Sequence, residues 1–507
     1  MTDVETGAPT PAGGTAAAAG SVTGGVTPSE GTLTGHVVLA TADSNAFQSL
    51  RRTPTSREER FRIGRELRHK VPRQTLGYWK PPATRPNPVD LIRESHEGRV
   101  DQLIPIRVGR MVSSPYGFLR GTAIVMADDV ARLPSTGIFP VVCGDAHLGN
   151  FGFYASPERD LVMDLNDFDE AHPGAWEWDL RRLVASIWVA GRHNGFSEAH
   201  CESSVESCVR AYREEVGHLS EQPLLSRSYE RIDVDRLNET TSNHTLRGEI
   251  ERAAKRAQRR TSDRALPRFV TEENGRRRII ESPPLITRVG SEEFDQIAAG
   301  LDEYLATVTG HWQRVLGGYT IVDIAHKVVG VGSVGLRAYV VLLEGSSPDD
   351  VIFLQLKQAR RSVLARFVHG TSAWHAHQGQ RVVEYQQALQ TVSDPLLGWT
   401  TVDGRQYYVR QFRNMKGTVP LDAVDHDGMK DYADVVGHLL AKGHARTSGA
   451  SMIAGYAGKS GRLDDALCQF ARLYADQTEA DHHQLERAVK HGLLPVEYPS
   501  GGTGFRN

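Results

Sequence analysis

Cysteine is scarce in this chain of 507 residues: Cys143, Cys201, Cys208 and Cys468 are the only four, with no C-x-x-C pair and no histidine spacing that suits zinc. That scarcity excludes a disulfide framework and a zinc-ribbon module, and a reduced protein is the simplest reading. Long apolar runs are missing too: no segment approaches the roughly 20 apolar residues of a membrane helix. Charge of one sign is absent, since 59 basic against 62 acidic side chains leave a net charge of −3. The whole chain therefore has no electrostatic footprint for nucleic acid or anionic lipid. Ahead of Arg51 there is no lysine or arginine and no apolar stretch of signal-peptide length. These absences together point to a cytoplasmic protein with no membrane partner. Residues 1–44 also lack every aromatic and are mostly Gly, Thr, Ala, Ser and Pro; such a segment cannot offset its ordering entropy and is expected to be a disordered tail.

What is present is a hydrophobic content of 39% in a chain long enough for two or three domains or one two-lobed unit. Ser56-Arg57-Glu58-Glu59 is a capping-box pattern that opens a basic helix through about Lys70, with Pro72 limiting it. A proline-rich connector, Lys80 to Pro88, follows. Val89 to Asp129 mixes a helix with a segment in which Arg110 and Arg120 are interleaved with apolar and glycine residues. These two arginines are candidates to face an anionic substrate, the alternative being ordinary surface or carboxylate-paired arginines. Phe139 to Cys143 and Leu161 to Met163 read as short buried strands, and Glu177 to Gly191 as an amphipathic helix with more helix through about Leu219.

Between Arg252 and Arg278 ten basic residues face three acids, with Arg252, Lys255, Arg256, Arg259 and Arg260 at helical spacing. A solvated helix face explains this ridge; binding of a phosphorylated or nucleic-acid partner is the alternative. Glu273-Asn274-Gly275 predicts a hairpin turn. Helix is expected near Ser291 to Leu316, strands over Tyr319–Val329, Ala338–Leu343 and Val351–Leu356, and helices near Gln378–Thr391, Asp431–Thr447 and Asp464–Gly492.

Chemistry concentrates in two acidic stretches, each following a buried strand: Gly144-Asp145-Ala146-His147-Leu148-Gly149-Asn150 and Asp164-Leu165-Asn166-Asp167-Phe168-Asp169-Glu170. Phosphoryl transfer needs a carboxylate that orients or deprotonates the acceptor hydroxyl, and oxygen ligands that hold Mg²⁺ against phosphates. Asp145 suits the first role. Asn150 and Asp167 suit the second, with Asp169 or Asp164 as a further ligand, and His147 supports the loop or, alternatively, acts as a base.

The nucleotide-gripping half of such an enzyme is readable further downstream. Gly330-Val331-Gly332-Ser333-Val334-Gly335 precedes a β-branched stretch, so it joins two strands and is not the strand-to-helix turn of a dinucleotide fold. Gly330, Gly332, Ser333 and Gly335 would lie over phosphates. Lys357 ends an apolar strand, which an ammonium tolerates only with an anionic partner. Glu384, in the next helix, is the expected partner, and Tyr407 to Phe412 is a strand leading to a hinge. A plain antiparallel sheet with a tight glycine turn and a strand-edge lysine is the alternative.

Gly144-Asp145-x-His147-x-Gly149-Asn150, Asp167-Phe168-Asp169-Glu170-Ala171 and Asp179-Leu180 resemble motifs of aminoglycoside and choline kinase-like phosphotransferases. The resemblance implies that Asp145 is catalytic, that Asn150 and Asp167 bind metal, that Asp179 anchors the loop, and that ATP and Mg²⁺ are the cofactors. Two departures stand out: Cys143 replaces the usual histidine, and the glycine loop and lysine follow the catalytic loop although they should precede it. A circular permutation reconciles the order. His438 to Arg446 resembles the helix that normally precedes the catalytic loop, so its C-terminus is expected near the strand before Asp145. From about Arg57 onward, stretches such as Arg110-Met111, Phe118 to Gly121 and Cys143 to His147 also resemble a bacterial family, DUF2252, for which the resemblance implies no activity.

The expected fold is α+β: a bilobed, protein-kinase-like unit in permuted order. Residues 45–316 would carry the catalytic-loop half of the large lobe, 317–415 a small β-rich nucleotide lobe, and 416–507 the helices that complete the large lobe. The expected function is ATP- and Mg²⁺-dependent phosphoryl transfer to a small-molecule or protein hydroxyl. The alternatives are an inactive nucleotide-binding regulator, and a metal-dependent phosphohydrolase or nuclease in which Lys357 has no role.

Overall fold

The computed structural model describes residues 55–328, 330–368, 375–447 and 449–498; the tail expected over residues 1–44 lies outside them. Local signals start the helices. Ser56 Oγ accepts from the Glu59 amide at 3.1 Å and opens helix Arg57–Lys70. Asn87 caps Pro88–His96, whose first-turn proline occupies a position where no amide hydrogen is needed. Ile104–Val112, Pro115–Gly121 and Ala123–Ala131 follow as three short helices, so the Arg110 to Arg120 segment is helical rather than extended.

Four short strands then carry the two acidic stretches: β1 (Val141–Val142), β2 (Phe151–Ala155), β3 (Leu161–Leu165) and β4 (His172–Pro173). β1 pairs antiparallel with β4, and β2 with β3. Asp145 lies in the β1–β2 connection and Asp167 and Asp169 in the β3–β4 connection; the Asn166 amide donates to Asn150 O at 2.9 Å and ties the two together.

Helix Trp176–His193 is buried from Trp176 to Gly191 and forms the axis of the main core. Helices Glu198–Glu221, His426–Arg446 and Arg462–Lys490 pack around it. Truncating one of its buried leucines would cost about 2–5 kcal/mol. The same burial obliges its polar residues to find partners: Arg181 donates to Leu76 O and lies over the Phe470 ring.

The remaining strands are β5 (Val270–Glu273), β6 (Arg276–Ile279), β7 (Ile286–Arg288), β8 (Thr320–Lys327), β9 (Ala338–Glu344), β10 (Val351–Gln358), β11 (Gly398–Val402) and β12 (Arg405–Gln411). β5 and β6 form the hairpin predicted at Asn274-Gly275, both residues having positive φ (53° and 73°) as the tight turn requires. β7 to β12 make one antiparallel sheet in the order β11-β12-β10-β9-β8-β7. Side chains alternate across it. Leu354 and Leu356 of β10 join Tyr339, Val341 and Val409 in a second core against helix Ser291–Leu305, whose Tyr304 hydroxyl donates to Leu396 O at 2.7 Å. Lys357, one residue on, falls on the opposite face, level with Tyr408 of β12. With antiparallel sheets and separate helical layers the protein is α+β.

Candidate active site

The Asp145 loop is fixed by its backbone before any side chain acts. Gly144 has φ 78°, and a Cβ there would stand 2.2 Å from Glu170 O, so only glycine fits. Asp179, in the first turn of helix Trp176–His193, accepts from the Cys143 amide (2.6 Å) and the Gly144 amide (2.8 Å). His444 Nε2 lies 3.3 Å from the same carboxylate, and its Nδ1 is 2.7 Å from the Tyr212 hydroxyl. The Val141 amide donates to Thr447 Oγ1 at 3.3 Å, so helix His426–Arg446 ends beside β1. Cys143 is buried, its thiol donating to Asp167 O at 3.3 Å.

Arg182 directs Asp145. Its Nε and Nη2 both donate to Asp145 Oδ1, at 2.9 and 2.6 Å, while Nη2 also reaches Leu119 O. Oδ2 stands 3.9 Å from His147 Nε2 and takes no bond from Arg182. Burial pushes the Asp145 pKa up; Arg182 opposes the rise, Glu170 and Asp167 add to it, and the result is about 7. A carboxyl poised there exchanges a proton near neutrality. His147 is held neutral by burial and by the charges of Arg120 and Arg182. Its Nδ1 meets no hydrogen-bond partner and its Nε2 is beyond hydrogen-bond reach of Asp145, so the side chain braces the loop by packing.

Asn150 spends its amide nitrogen on the two loops, donating to Asp145 O (3.2 Å) and Asp167 O (3.1 Å), which leaves Oδ1 for a ligand. Lys357 then joins the sheet to the acidic loops: its Nζ lies 2.6 Å from Asp169 Oδ2 and 3.4 Å from Asp167 Oδ2. The lysine is 3% exposed. Burial disfavours its charge, yet Asp167 and Asp169 outweigh that and raise its pKa above the ordinary lysine range. Burial likewise works against the Asp169 carboxylate, but Lys357 and the Tyr408 hydroxyl, 2.9 Å away, bring its pKa down to about 2. Ser333 of the glycine loop donates to Asp169 Oδ2 at 3.0 Å. Residues of four separate stretches thus meet at one point.

Glu384 is not the partner of Lys357. It is 44% exposed and turned to His375 Nε2 (2.7 Å) and Gln380 Nε2 (2.8 Å). Arg381, one turn earlier on helix Gln378–Leu389, faces the site in its place. It donates to the carbonyls of Ala171, Asp169 and Arg360. With Lys357 already neutralised by two aspartates, a third carboxylate is unnecessary, and the helix docks through an arginine on main-chain oxygens.

Other sequence candidates divide. Gly332 and Arg120 line the cleft described below, the arginine over the Tyr116 ring at 5.9 Å. Gly330 is exposed, and Gly335 has φ 86° and packs on Arg99. Arg110 is outside the lining, its nearest like charge being Arg120. Asp164 is buried within β3 and accepts from the Leu165 and Thr391 amides, outside the lining of the cleft. Within the basic ridge Arg252 pairs with Glu249, Arg277 with Glu344 and Arg278 with Asp323.

A cleft of about 290 Å³ lies over the loops, with Asp145, Asn150, Asp167 and Asp169 in its lining. Sequence reasoning missed Arg99, Arg107 and Arg360, which also line it. It also missed Arg182, although an arginine inside Leu180-Arg181-Arg182-Leu183 had to find a partner once the helix was buried.

Residues 99–488 match the model of the DUF2252 family, described as uncharacterized protein conserved in bacteria. The chain belongs to that family. No curated protein and no solved structure matches it.

Proposed function

We propose that this DUF2252 protein is an ATP- and Mg²⁺-dependent phosphotransferase of kinase-like architecture in circularly permuted order, acting on a hydroxyl of a small molecule. The observation that carries the reading is the convergence of Lys357 from β10 and Ser333 from the glycine loop with Asp167 and Asp169 from the β3–β4 connection, beside Asp145. The end of helix His426–Arg446 beside β1 supports the permuted order.

The donor set suits the cofactors. Two carboxylates and an amide oxygen are hard ligands of the kind Mg²⁺ takes, and Lys357 already demonstrates that the pocket between Asp167 and Asp169 holds positive charge. Asn150, Asp167 and Asp169 would hold the cation, which when bound neutralises phosphate oxygens. Lys357 would contact the nucleotide phosphates, and the amides of Gly330, Gly332 and Gly335 would cover them. Arg182 fixes Oδ1 of Asp145 and leaves Oδ2 to take the acceptor's proton. The acceptor oxygen forms its bond to the terminal phosphorus as the bond to the diphosphate breaks, and the nucleoside diphosphate departs.

A hydrolase or nuclease reading gives Lys357 no task, whereas its ammonium is the buried counter-ion of the acidic pair. The reading is tested by thermal stabilisation with ATP or ADP, with and without Mg²⁺. Stabilisation should require Mg²⁺ and disappear in Asp167→Ala and Lys357→Ala; unchanged binding in both variants would sink the assignment.

A further inference from the structure

Arg107 is 2% exposed and lines the cleft, yet only its Nη2 is satisfied, by Gly121 O at 2.7 Å. Its Nε and Nη1 meet no hydrogen-bond partner. A guanidinium stays protonated in proteins, so two buried N–H edges without an acceptor are a costly arrangement unless a ligand completes it. Two more arginines line the same cleft. Arg99 donates to Ser95 O (2.8 Å) and Val334 O (2.5 Å), and Arg360 donates to Ser95 O (3.2 Å). All three are held by main-chain carbonyls, which position a guanidinium without neutralising it. Arg99 and Arg360 are near enough to Arg107 to disfavour its charge. Glu94 pairs with Arg366, and Glu170, which accepts from the Val363 amide, acts with Asp169 on Arg99 only through its charge, no hydrogen bond joining either carboxylate to the three guanidiniums.

We infer that Arg99, Arg107 and Arg360 form an oxyanion site, and that it holds a phosphate group carried by the acceptor substrate. Three clustered guanidiniums supply the N–H donors that planar, multidentate recognition of a phosphate uses. The source of the phosphate follows from what shares the cavity. Asp145 lies in this cleft together with Asn150, Asp167, Asp169 and Ser333, while the Lys357 ammonium, paired with Asp167 and Asp169, is not in its lining. The anion site therefore shares one cavity with the carboxylate proposed to orient the acceptor. A volume of about 290 Å³ fits a small phosphorylated molecule. This inference rests on the phosphotransferase reading for the identity of the ligand as acceptor, while the anion site itself stands independently of it.

The test is calorimetric titration of the full chain with inorganic phosphate and, separately, with Mg²⁺·ADP. Phosphate should bind, and Arg107→Met should weaken it at least about tenfold while leaving Mg²⁺·ADP affinity within about twofold. Arg360→Gln, at a half-buried position, should do the same in smaller measure and serves if Arg107→Met does not fold. Absence of phosphate binding, or phosphate affinity unchanged in both variants, overturns the site. Loss of Mg²⁺·ADP affinity equal to that of phosphate assigns the arginines to the nucleotide and overturns the acceptor. Phosphate binding that depends on the arginines in a protein that binds no nucleotide leaves the anion site standing and removes the phosphotransferase reading instead.

Discussion

Lys357 Nζ stands 2.6 Å from Asp169 Oδ2, a contact between the end of a β-strand and a loop encoded far upstream of it. Lys357→Met removes the cation from two carboxylates and, on the proposed function, the phosphate contact from the nucleotide. A hydrogen bond to a charged group contributes about 1.5–3 kcal/mol, or roughly 10- to 100-fold in affinity. Mg²⁺·ADP binding should weaken by that amount, measured by titration.

The same contact sets an acid limit. Asp169 has a pKa of about 2 when folded, below the roughly 3.9 of an unfolded aspartate. Its contribution to stability is therefore complete above that unfolded value and is lost as pH falls toward 2. Urea midpoints taken between pH 5 and pH 2 should fall more steeply in the natural protein than in Asp169→Asn.

Asp145 behaves in the opposite sense. Its folded pKa of about 7 exceeds the unfolded value, so the fold favours the protonated form, and stability from this group declines as pH rises through 7. On the proposed function, in which the carboxylate takes the acceptor's proton, turnover should rise over the same interval. Since Arg182 holds the pKa down, Arg182→Gln should move the midpoint of the rate profile upward and reduce the rate at pH 7. A midpoint that stays in place would show that another group controls the limb.

Arg381 and Glu384 make a paired test. Glu384→Gln should leave Mg²⁺·ADP affinity within about twofold, since the carboxylate is turned to His375. Arg381→Met leaves three main-chain oxygens without their donor. Unsatisfied buried groups cost about 1–3 kcal/mol each, so denaturant unfolding should report a clear loss of stability. Equal effects in the two variants would contradict the geometry.

Asp179→Ala deprives the Cys143 and Gly144 amides of their acceptor and should cost on the order of 2–5 kcal/mol by the same reasoning. Asp179→Asn, which keeps one acceptor oxygen, should recover part of the loss in denaturant unfolding.

Much of this was legible because it is local. Capping at Ser56, the Asn274-Gly275 turn and the strand before Lys357 each follow from a few adjacent residues. Lys357 announced its need for an anion through the apolar run around it, but which anion depended on how the sheet sits over the loops, and no spacing along the chain encodes that. Glu384 was read as the partner from distance along the sequence; helical phase placed Arg381 there instead. Arg99, Arg107 and Arg360 carry no motif at all, coming from a loop, a helix and the end of β10, and become a cluster only when those elements are packed.

The contacts that complete the acidic loops also impose an order of assembly. During synthesis Asp145, Asp167 and Asp169 leave the ribosome before Lys357, and Asp179 emerges before His444. A nascent chain ending at Arg337 carries the carboxylates with neither the lysine nor the histidine that steadies them. Pairings this distant in sequence close late and leave intermediates exposed meanwhile. The cleft is thus a product of the finished polypeptide.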